Sequence, residues 1–495
     1  MKITNDLKRI LDIAINLTAE KNYSKLLDYL LSECMELSGC DAGTLYILKD
    51  DKLEFMILRN NTMNVYRGGE GEPIDSMPPV ELDDKYVCAH SAIYKETVNI
   101  LDVYNDFSFD WQGPRKYDKI TGYHTQSMLV VPLIDHDNKV IGVIQLINAL
   151  DENGDITCFS VDSESIVFSI ASEAAISLSN MILVRQLRKM LYSFVRSLTT
   201  AIDERTPYNA NHTYNVAAYC NKFAKFLMRE EKERSDFEHI TDSEREQLRM
   251  AAMLHDVGKL ITPIEIMNKP DRLDWRLPIM ESRWKYFEAL LKIDLYDKII
   301  SEEKYHEESN TLKEGKELIR TCNTAPYLSP EKLEAIKGLK KLVIVDRDNN
   351  ETVEFLTDEE LHEMLIVKGT LTAEERKIIE MHVVYTDKIL SKIEFQDNYK
   401  LVRKFAAAHH EYLDGSGYPN GLTADDLPLE VRILTIADIF DSLTADDRPY
   451  KKALSKERAL SILASMADEG KLDKGLVEQF TDFINEEAKS NPTGS

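Results

Sequence analysis

His255 and Asp256 stand together in the run LHDVGK, and His409 and His410 open a second run, HHEYLDGSGYP. These doublets constrain the chain more than any other feature. Neighbouring residues on a helix point about 100° apart at ~3.6 residues per turn, so each doublet can serve two adjacent metal ions. A dinuclear hydrolase needs that arrangement: imidazoles hold the ions, a shared carboxylate bridges them, and bound water loses a proton near neutral pH. One such doublet alone is more readily a helix cap or a satisfied core pair. Two, with a GSGYP turn, are much harder to dismiss.

The chain has 495 residues, 43% hydrophobic and 30% charged, enough for two to four packed domains. Its longest apolar stretches, Ser127 to Leu133 and Ile141 to Leu146, fall far short of the ~20 residues of a membrane span. The N-terminus MKITNDLKRILDIAINLTAEKN is charged throughout, unlike a signal peptide. The expectation is a cytoplasmic protein without membrane insertion. Six cysteines, Cys34, Cys40, Cys88, Cys158, Cys220 and Cys322, form no C-x-x-C pair, which suggests reduced thiols and no zinc ribbon. The net charge of −25 argues against DNA as a partner, since that affinity comes from basic residues displacing counterions. An anionic substrate must then meet metal ions or a local cationic patch.

Residues Ile3 to Gly39 read as two helices, with Leu7, Ile10, Leu11 and Ala14, then Leu26, Leu27, Leu30 and Leu31 at 3–4 spacing. After Gly39 the period changes. Thr44 to Leu48 and Lys52 to Met56 flank Lys49-Asp50-Asp51, a hairpin signal, and SMLVVPLI and KVIGVIQLIN make a second. Helix, strands, loops, hairpin and closing helix resemble a GAF domain over about residues 20 to 180. That resemblance implies an α+β sensor of small molecules, an antiparallel sheet with flanking helices, assigned to 1–180. The N-K…F-x-x-x-D-E signature of cyclic-nucleotide-binding members is met in part: Asn148 precedes Ala149, and Phe159 is followed by Asp162 and Glu164 in shifted positions. The sensor's ligand is thus an unknown small molecule, with a cyclic nucleotide as one option and a purely dimerising role as another.

Residues 163–202 read as one long linker helix without Gly or Pro, in which Ile176, Asn180, Leu183, Leu187, Met190 and Phe194 alternate at four and three spacing. That is a coiled-coil seam, and the expectation is a homodimer.

The second half carries the chemistry. Thr241-Asp242-Ser243-Glu244 is a capping box opening the helix to His255, and Thr372-Ala373-Glu374-Glu375 opens the helix carrying His382. His409 and His410 fall near the end of a helix expected from about Asn398, Asp438 lies in VRILTIADIFDSL, and His212 lies in PYNANHTYNVAAYC. Together His212, HDVGK, GTLTAEERKIIEMH, HHEYLDGSGYP and ADIFDSLTADDRPYK resemble, in order, the pieces of an HD-GYP domain, the bacterial family of cyclic di-GMP phosphodiesterases. The match covers more than 200 residues, and implies an all-α HD-type hydrolase over 203–490.

The resemblance implies metal ligands at His212, His255, Asp256, His382, His409, His410 and Asp438, with Asp256 bridging two divalent ions, iron or manganese. It implies hydrolysis of cyclic di-GMP to linear pGpG, with further breakdown to GMP left open. Lys259, one turn after Asp256, joins Asp256 as a catalytic group and also contacts the substrate phosphate, as do Arg448 and Lys451, while Tyr418 contacts substrate. The GYP loop is also a surface for a protein partner. Two features depart from the family. Tyr208 stands where some members carry a glutamate for a third metal, so two ions are expected. About ninety residues, at about 271–368, separate segments that are nearly contiguous in typical members; helices from Trp275 to Ile300 and Pro330 to Leu339, and strands Leu342 to Val345 and Val353 to Leu356, make this an inserted folded element near the site mouth. The competing readings are a weakly catalytic or non-catalytic receptor or scaffold, and a hydrolase of another cyclic dinucleotide.

Overall fold

A computed structural model describes residues 12–13, 15–17, 19–20, 22–74, 77–205, 211–231, 239–396, 399–445 and 453–490. The chain divides into two compact units, Met1–Leu191 and Tyr192–Ser495.

The first unit is built on one antiparallel sheet. Its strands are β1 (Cys40–Lys49), β2 (Lys52–Asn60), β3 (Val65–Gly68), β4 (Val80–Glu81), β5 (Val98–Ile100), β6 (Met128–Ile134), β7 (Val140–Leu150) and β8 (Ile156–Thr157). They run in the order β3-β2-β1-β7-β6-β5, with β4 on β2 and β8 on β7. Asp50 and Asp51 close the first hairpin at φ 50° and 59°, the left-handed pair of a two-residue turn that matches strand twist. Side chains alternate between faces. Leu45, Ile47, Leu129, Val131, Ile144 and Leu146 pack against the helix Tyr23–Ser38 and the first half of Val161–Asp203. Tyr46, Leu53, Met128, Val130 and Val143 form a second core on the other face with the helix Val87–Tyr94. This is the α+β fold, an antiparallel sheet with flanking helices, expected from the sequence.

The helix Val161–Asp203 holds the one window, among the described residues, that is long and apolar enough to cross a membrane, with mean hydropathy 1.6 over 18 residues. This corrects the reading that every apolar stretch is far too short. Serines and alanines break the uninterrupted run without adding charge, so the window average stays high. Val167, Ile170, Ala171, Ala174, Ala175 and Leu178 bury that apolarity in the core of the first unit. Further along, Leu183, Leu187, Met190 and Phe194 are exposed.

The second unit is helical. The helices His212–Glu230, Asp242–Leu254, Ala373–Glu380, His382–Leu390, Val402–Ala406 and Leu429–Thr444 surround the site described below, and Lys456–Asp468 and Lys474–Ser490 follow them. Both expected capping boxes are present, at Thr241 with Glu244 and at Thr372 with Glu375. Between Arg272 and Ile366 the chain forms its own core, with Trp284 stacked on Phe355 at 5.0 Å. It contains helices Arg276–Tyr296, Glu302–Asn323, Pro330–Leu339 and Asp358–Met364 and the strand pair Val343–Asp346 and Glu351–Glu354. Arg272 is fully buried and ties the ends of this element together, donating to the carbonyls of Cys322, Ala325 and Ile366 at 2.6–2.9 Å. Lys269 pairs with Glu363 inside the element and with Glu375 on the helix leading to His382, the latter at 2.8 Å.

Candidate metal centre

Three histidines are aimed by the same local bond. His255, His382 and His409 turn Nδ1 to the carbonyl three residues earlier, of Ala252, Ile379 and Ala406, at 2.7, 2.6 and 2.7 Å. Nδ1 is then the donor, and the Nε2 lone pair is left for the centre. The ring competes with the backbone for that carbonyl, and each preceding helix ends there, at Leu254, Glu380 and Ala406. The doublets therefore sit just past helix ends. This corrects the expectation that they ride on helices 100° apart: His255 caps its helix, Asp256 leaves it at φ −100°, and His409 and His410 lie in the turn after Ala406.

The site forms two groups. His212, His255 and Asp256 make one, and His382, His409 and His410 the other; in each, the donor atoms lie within 4.8 Å of one another. Asp256 faces both, with Oδ2 3.2 Å from His255 Nε2 and 3.7 Å from His212 Nε2, and Oδ1 3.4 Å from His382 Nε2. Asp438 also spans them, with Oδ1 3.1 Å from His212 Nε2 and Oδ2 3.9 Å from His410 Nδ1. All seven are buried except His410, which is partly exposed. Lys259 Nζ stands 2.6 Å from Asp256 Oδ2. Tyr418 packs its ring 4.8 Å from that of His410 and donates its backbone N–H to the His410 carbonyl. Arg448, Lys451 and Tyr208 lie outside the described residues.

The surroundings favour lone pairs on His382, His409 and His410 and carboxylates at Asp256 and Asp438, while His212 is held toward its protonated form. Burial pushes His382 down to about 4 against the pull of Asp256, and burial with its histidine neighbours holds His409 and then His410 below the usual imidazole range. Burial opposes charge on His212 as well, yet hydrogen bonds to Asp438 and Asp441 raise it to about 10. Burial works to raise both Asp256 and Asp438, but Lys259 and His255 around the first and His212 around the second keep them below the usual carboxylate range. Two buried atoms, His255 Nε2 and Asp256 Oδ1, have no hydrogen-bond partner among the described residues. A buried polar atom left so costs about 1–3 kcal/mol. Cations between the two groups would satisfy both atoms, and the mixed imidazole and carboxylate set suits divalent first-row metals. The residues present therefore fit two metal ions.

Sequence reasoning missed the residues that hold these ligands. Asp441 Oδ2 lies 2.7 Å from His212 Nδ1, and Thr435 donates to the His409 carbonyl. Both lie three residues from Asp438 on Leu429–Thr444, a stripe that was readable as 435, 438 and 441. Thr386 donates to the His255 carbonyl and accepts from Gly258 N. Arg205 donates to the carbonyls of Lys259, Leu260 and Thr262 behind the HDVGK turn. Glu411, buried beside His410, accepts from the backbone N–H groups of Asn420 and Leu422 and so ties down the GYP loop. Gly417 permits that fold-back, since a Cβ there would lie 2.5 Å from Glu411 Cα. Carboxylates behind ligating histidines are worth about 10–100-fold in metal affinity or activity. Asp441→Ala is expected to lose that much metal affinity, read by titration against a competing chelator; wild-type affinity would remove Asp441 from the ligand support.

The GAF domain family matches residues 22–178, and HD domain families match residues 209–338 and 358–476. Over 273 residues the chain is 26% identical to the 3′3′-cGAMP-specific phosphodiesterase 3 of Vibrio cholerae, covering 55% of this chain and 35% of that protein. It is 40% identical over 101 residues to the cyclic di-GMP phosphodiesterase response regulator RpfG of Xanthomonas campestris, covering 20% of this chain and 26% of that protein. A cyclic di-GMP phosphodiesterase of Thermotoga maritima is 37% identical over 109 residues, covering 22% of this chain and 28% of that protein. The chain thus spans about a third or less of the length of these relatives. A GAF domain match is thus followed along this chain by two HD domain matches.

Proposed function

We propose that the second unit is a metal-dependent phosphodiesterase that opens cyclic di-GMP to linear pGpG, under control of the GAF domain. One observation carries the reading: Asp256 turns one carboxylate oxygen to each of two histidine groups. His212, His255 and Asp438 would hold one ion and His382, His409 and His410 the other, with Asp256 shared. Iron or manganese, when bound, supplies Lewis acidity toward the phosphate and acidifies water. The Lys259 ammonium stands beside Asp256 and is partly exposed, so it can offset charge on a phosphate oxygen. Tyr418, packed on His410, offers a ring at the edge of the site. Arg448 and Lys451 are assigned to phosphate as a two-donor fork and a point charge. Burial of six of the seven ligand positions keeps bulk water from the carboxylates.

A second reading keeps the chemistry and changes the substrate to 3′3′-cGAMP, the specificity that the name of the Vibrio cholerae relative gives that protein. Metal-loaded full chain is incubated with each dinucleotide and the products are chromatographed. Linear product from cyclic di-GMP is expected. No linear product from either would sink the phosphodiesterase reading, and turnover of 3′3′-cGAMP alone would move the assignment.

Control by the sensor is assigned to the exposed seam on Val161–Asp203, paired between two copies. A glutamate in a paired apolar seam is buried without a partner, which is costly. Leu187→Glu is expected to convert a dimer into a monomer in light scattering and to remove any response of hydrolysis to sensor ligands. A monomeric wild type would leave the helix as a tether only.

A further inference from the structure

The first unit holds a cavity of about 490 Å³, partly open to the surface and lined by the sheet residues Thr44, Tyr46, Met128 and Gln145 together with Tyr86 and Trp111. Resting on the reading of the GAF domain as a ligand-binding regulator, we infer that this cavity takes an uncharged, flat heteroaromatic ligand bearing a carbonyl, and that the Gln145 amide reads that carbonyl.

Size and walls set the shape. A cavity of this volume holds a small organic molecule, and aromatic walls favour a flat ring system packed by stacking and edge contacts. Charge sets the class. The charged residues among the described lining are Arg59, Glu81 and Asp110. The Arg59 guanidinium is drawn to Asp28 at 3.4 Å and lies 4.3 Å over the Tyr66 ring, and neither of those residues lines the cavity. Its Nε is buried without a partner, and a single N–H is satisfied by a neutral acceptor as well as by a charged one. Glu81 pairs with Lys52 at 2.7 Å, and Asp110 accepts from the backbone N–H of Gln112. A phosphate in the cavity would meet two carboxylates, Glu81 at the exposed rim and Asp110, and one cation already engaged, and placing a charge there without a dedicated partner is costly.

The polar anchor is Gln145, 8% exposed. The Tyr46 hydroxyl donates to its Oε1 at 2.9 Å, which assigns the amide orientation. Its Nε2 then faces Met128 Sδ at 3.0 Å, and a thioether is a weak acceptor. A buried amide donor is thus spent on a poor partner, and a ligand carbonyl is the better one. Thr44 pairs with Gln145 across β1 and β7 and places a hydroxyl beside it.

Calorimetry on the full chain tests this with guanosine and lumichrome as neutral probes and cyclic GMP as the anionic counterpart of the first. One neutral probe or both should bind one per chain, and cyclic GMP should bind about tenfold or more weaker than guanosine, because its phosphate is buried unpaired. Gln145→Leu, close in volume, should weaken the neutral probe about tenfold by removing the donor. Ala42→Leu, which fills the cavity from β1, should abolish binding while circular dichroism and Tm stay near wild type, so a folding defect in the first variant cannot mimic the result. Cyclic GMP binding tighter than guanosine, no binding by either neutral probe, or a Gln145→Leu chain that binds like wild type would each overturn the inference. Hydrolysis is measured on the same preparation as product formation, so failure of the phosphodiesterase reading shows up separately.

Discussion

Asp256→Ala is expected to leave a folded chain with no measurable hydrolysis and less than one metal ion per chain, against the two expected of wild type. The carboxylate belongs to both groups, with Oδ2 toward His212 and His255 and Oδ1 toward His382. On the proposed assignment its loss would remove one ligand from each ion at once. It also leaves the Lys259 ammonium, now 2.6 Å from Oδ2, without that partner, so a positive charge opposes any entering cation. Removing one transition-state donor costs about 10²–10³-fold in many enzymes, and losing both ions exceeds that. Elemental analysis and product chromatography on the same sample decide the matter. Full metal occupancy in the variant would sink the bridging assignment, and partial turnover at wild-type metal content would show that Asp256 acts on substrate instead.

The sequence shows what the site is made of more clearly than how it is held. The two doublets mark His255, Asp256, His409 and His410 by themselves, while His212, His382 and Asp438 are found only through the ordered resemblance to the HD-GYP pattern; the described residues bring all seven near one another. What the sequence hides is the reason the rings converge. The bond from Nδ1 to the carbonyl three residues back ends a helix without Gly or Pro, so no stop signal marks Leu254 or Ala406. In the first unit, both hairpins are legible because their partners are neighbours in sequence. The pairing of β1 with β7, about a hundred residues apart, is not, since both strands are largely buried on both faces and alternation of polar and apolar residues selects no register. The helix Glu302–Asn323 went unread because its apolar stripe is thin. Its buried residues Leu312, Gly315, Ile319 and Cys322 follow 3-4-3 spacing amid charged neighbours.

Gly258→Ala is expected to damage the centre as severely as loss of a ligand, although the glycine coordinates nothing. A Cβ at Gly258 would lie 1.9 Å from the His382 carbonyl oxygen and 2.6 Å from Thr386 N, contacts that backbone cannot absorb without moving. The glycine exists for close approach: Gly258 N donates to Thr386 Oγ1 at 3.0 Å, and that hydroxyl donates to the His255 carbonyl at 2.9 Å, clamping the HDVGK turn to the helix His382–Leu390. A methyl group forces that helix outward by an ångström or more. The shift carries His382 Nε2 away from Asp256 Oδ1, now 3.4 Å distant, and from His409 Nε2, also 3.4 Å. Overpacking of this kind costs about 1–3 kcal/mol in stability and occasionally more. That cost is expected as a Tm lowered by several degrees. The metal readout separates geometry from stability: the group built on His382, His409 and His410 should lose its ion, while the group built on His212 and His255 keeps partial occupancy. Thr386→Ala removes the hydroxyl clamp without adding bulk, so it should weaken metal binding less than Gly258→Ala does. A Gly258→Ala chain with wild-type metal content and turnover would show that the two segments separate freely, and the close approach would then play no part in building the centre.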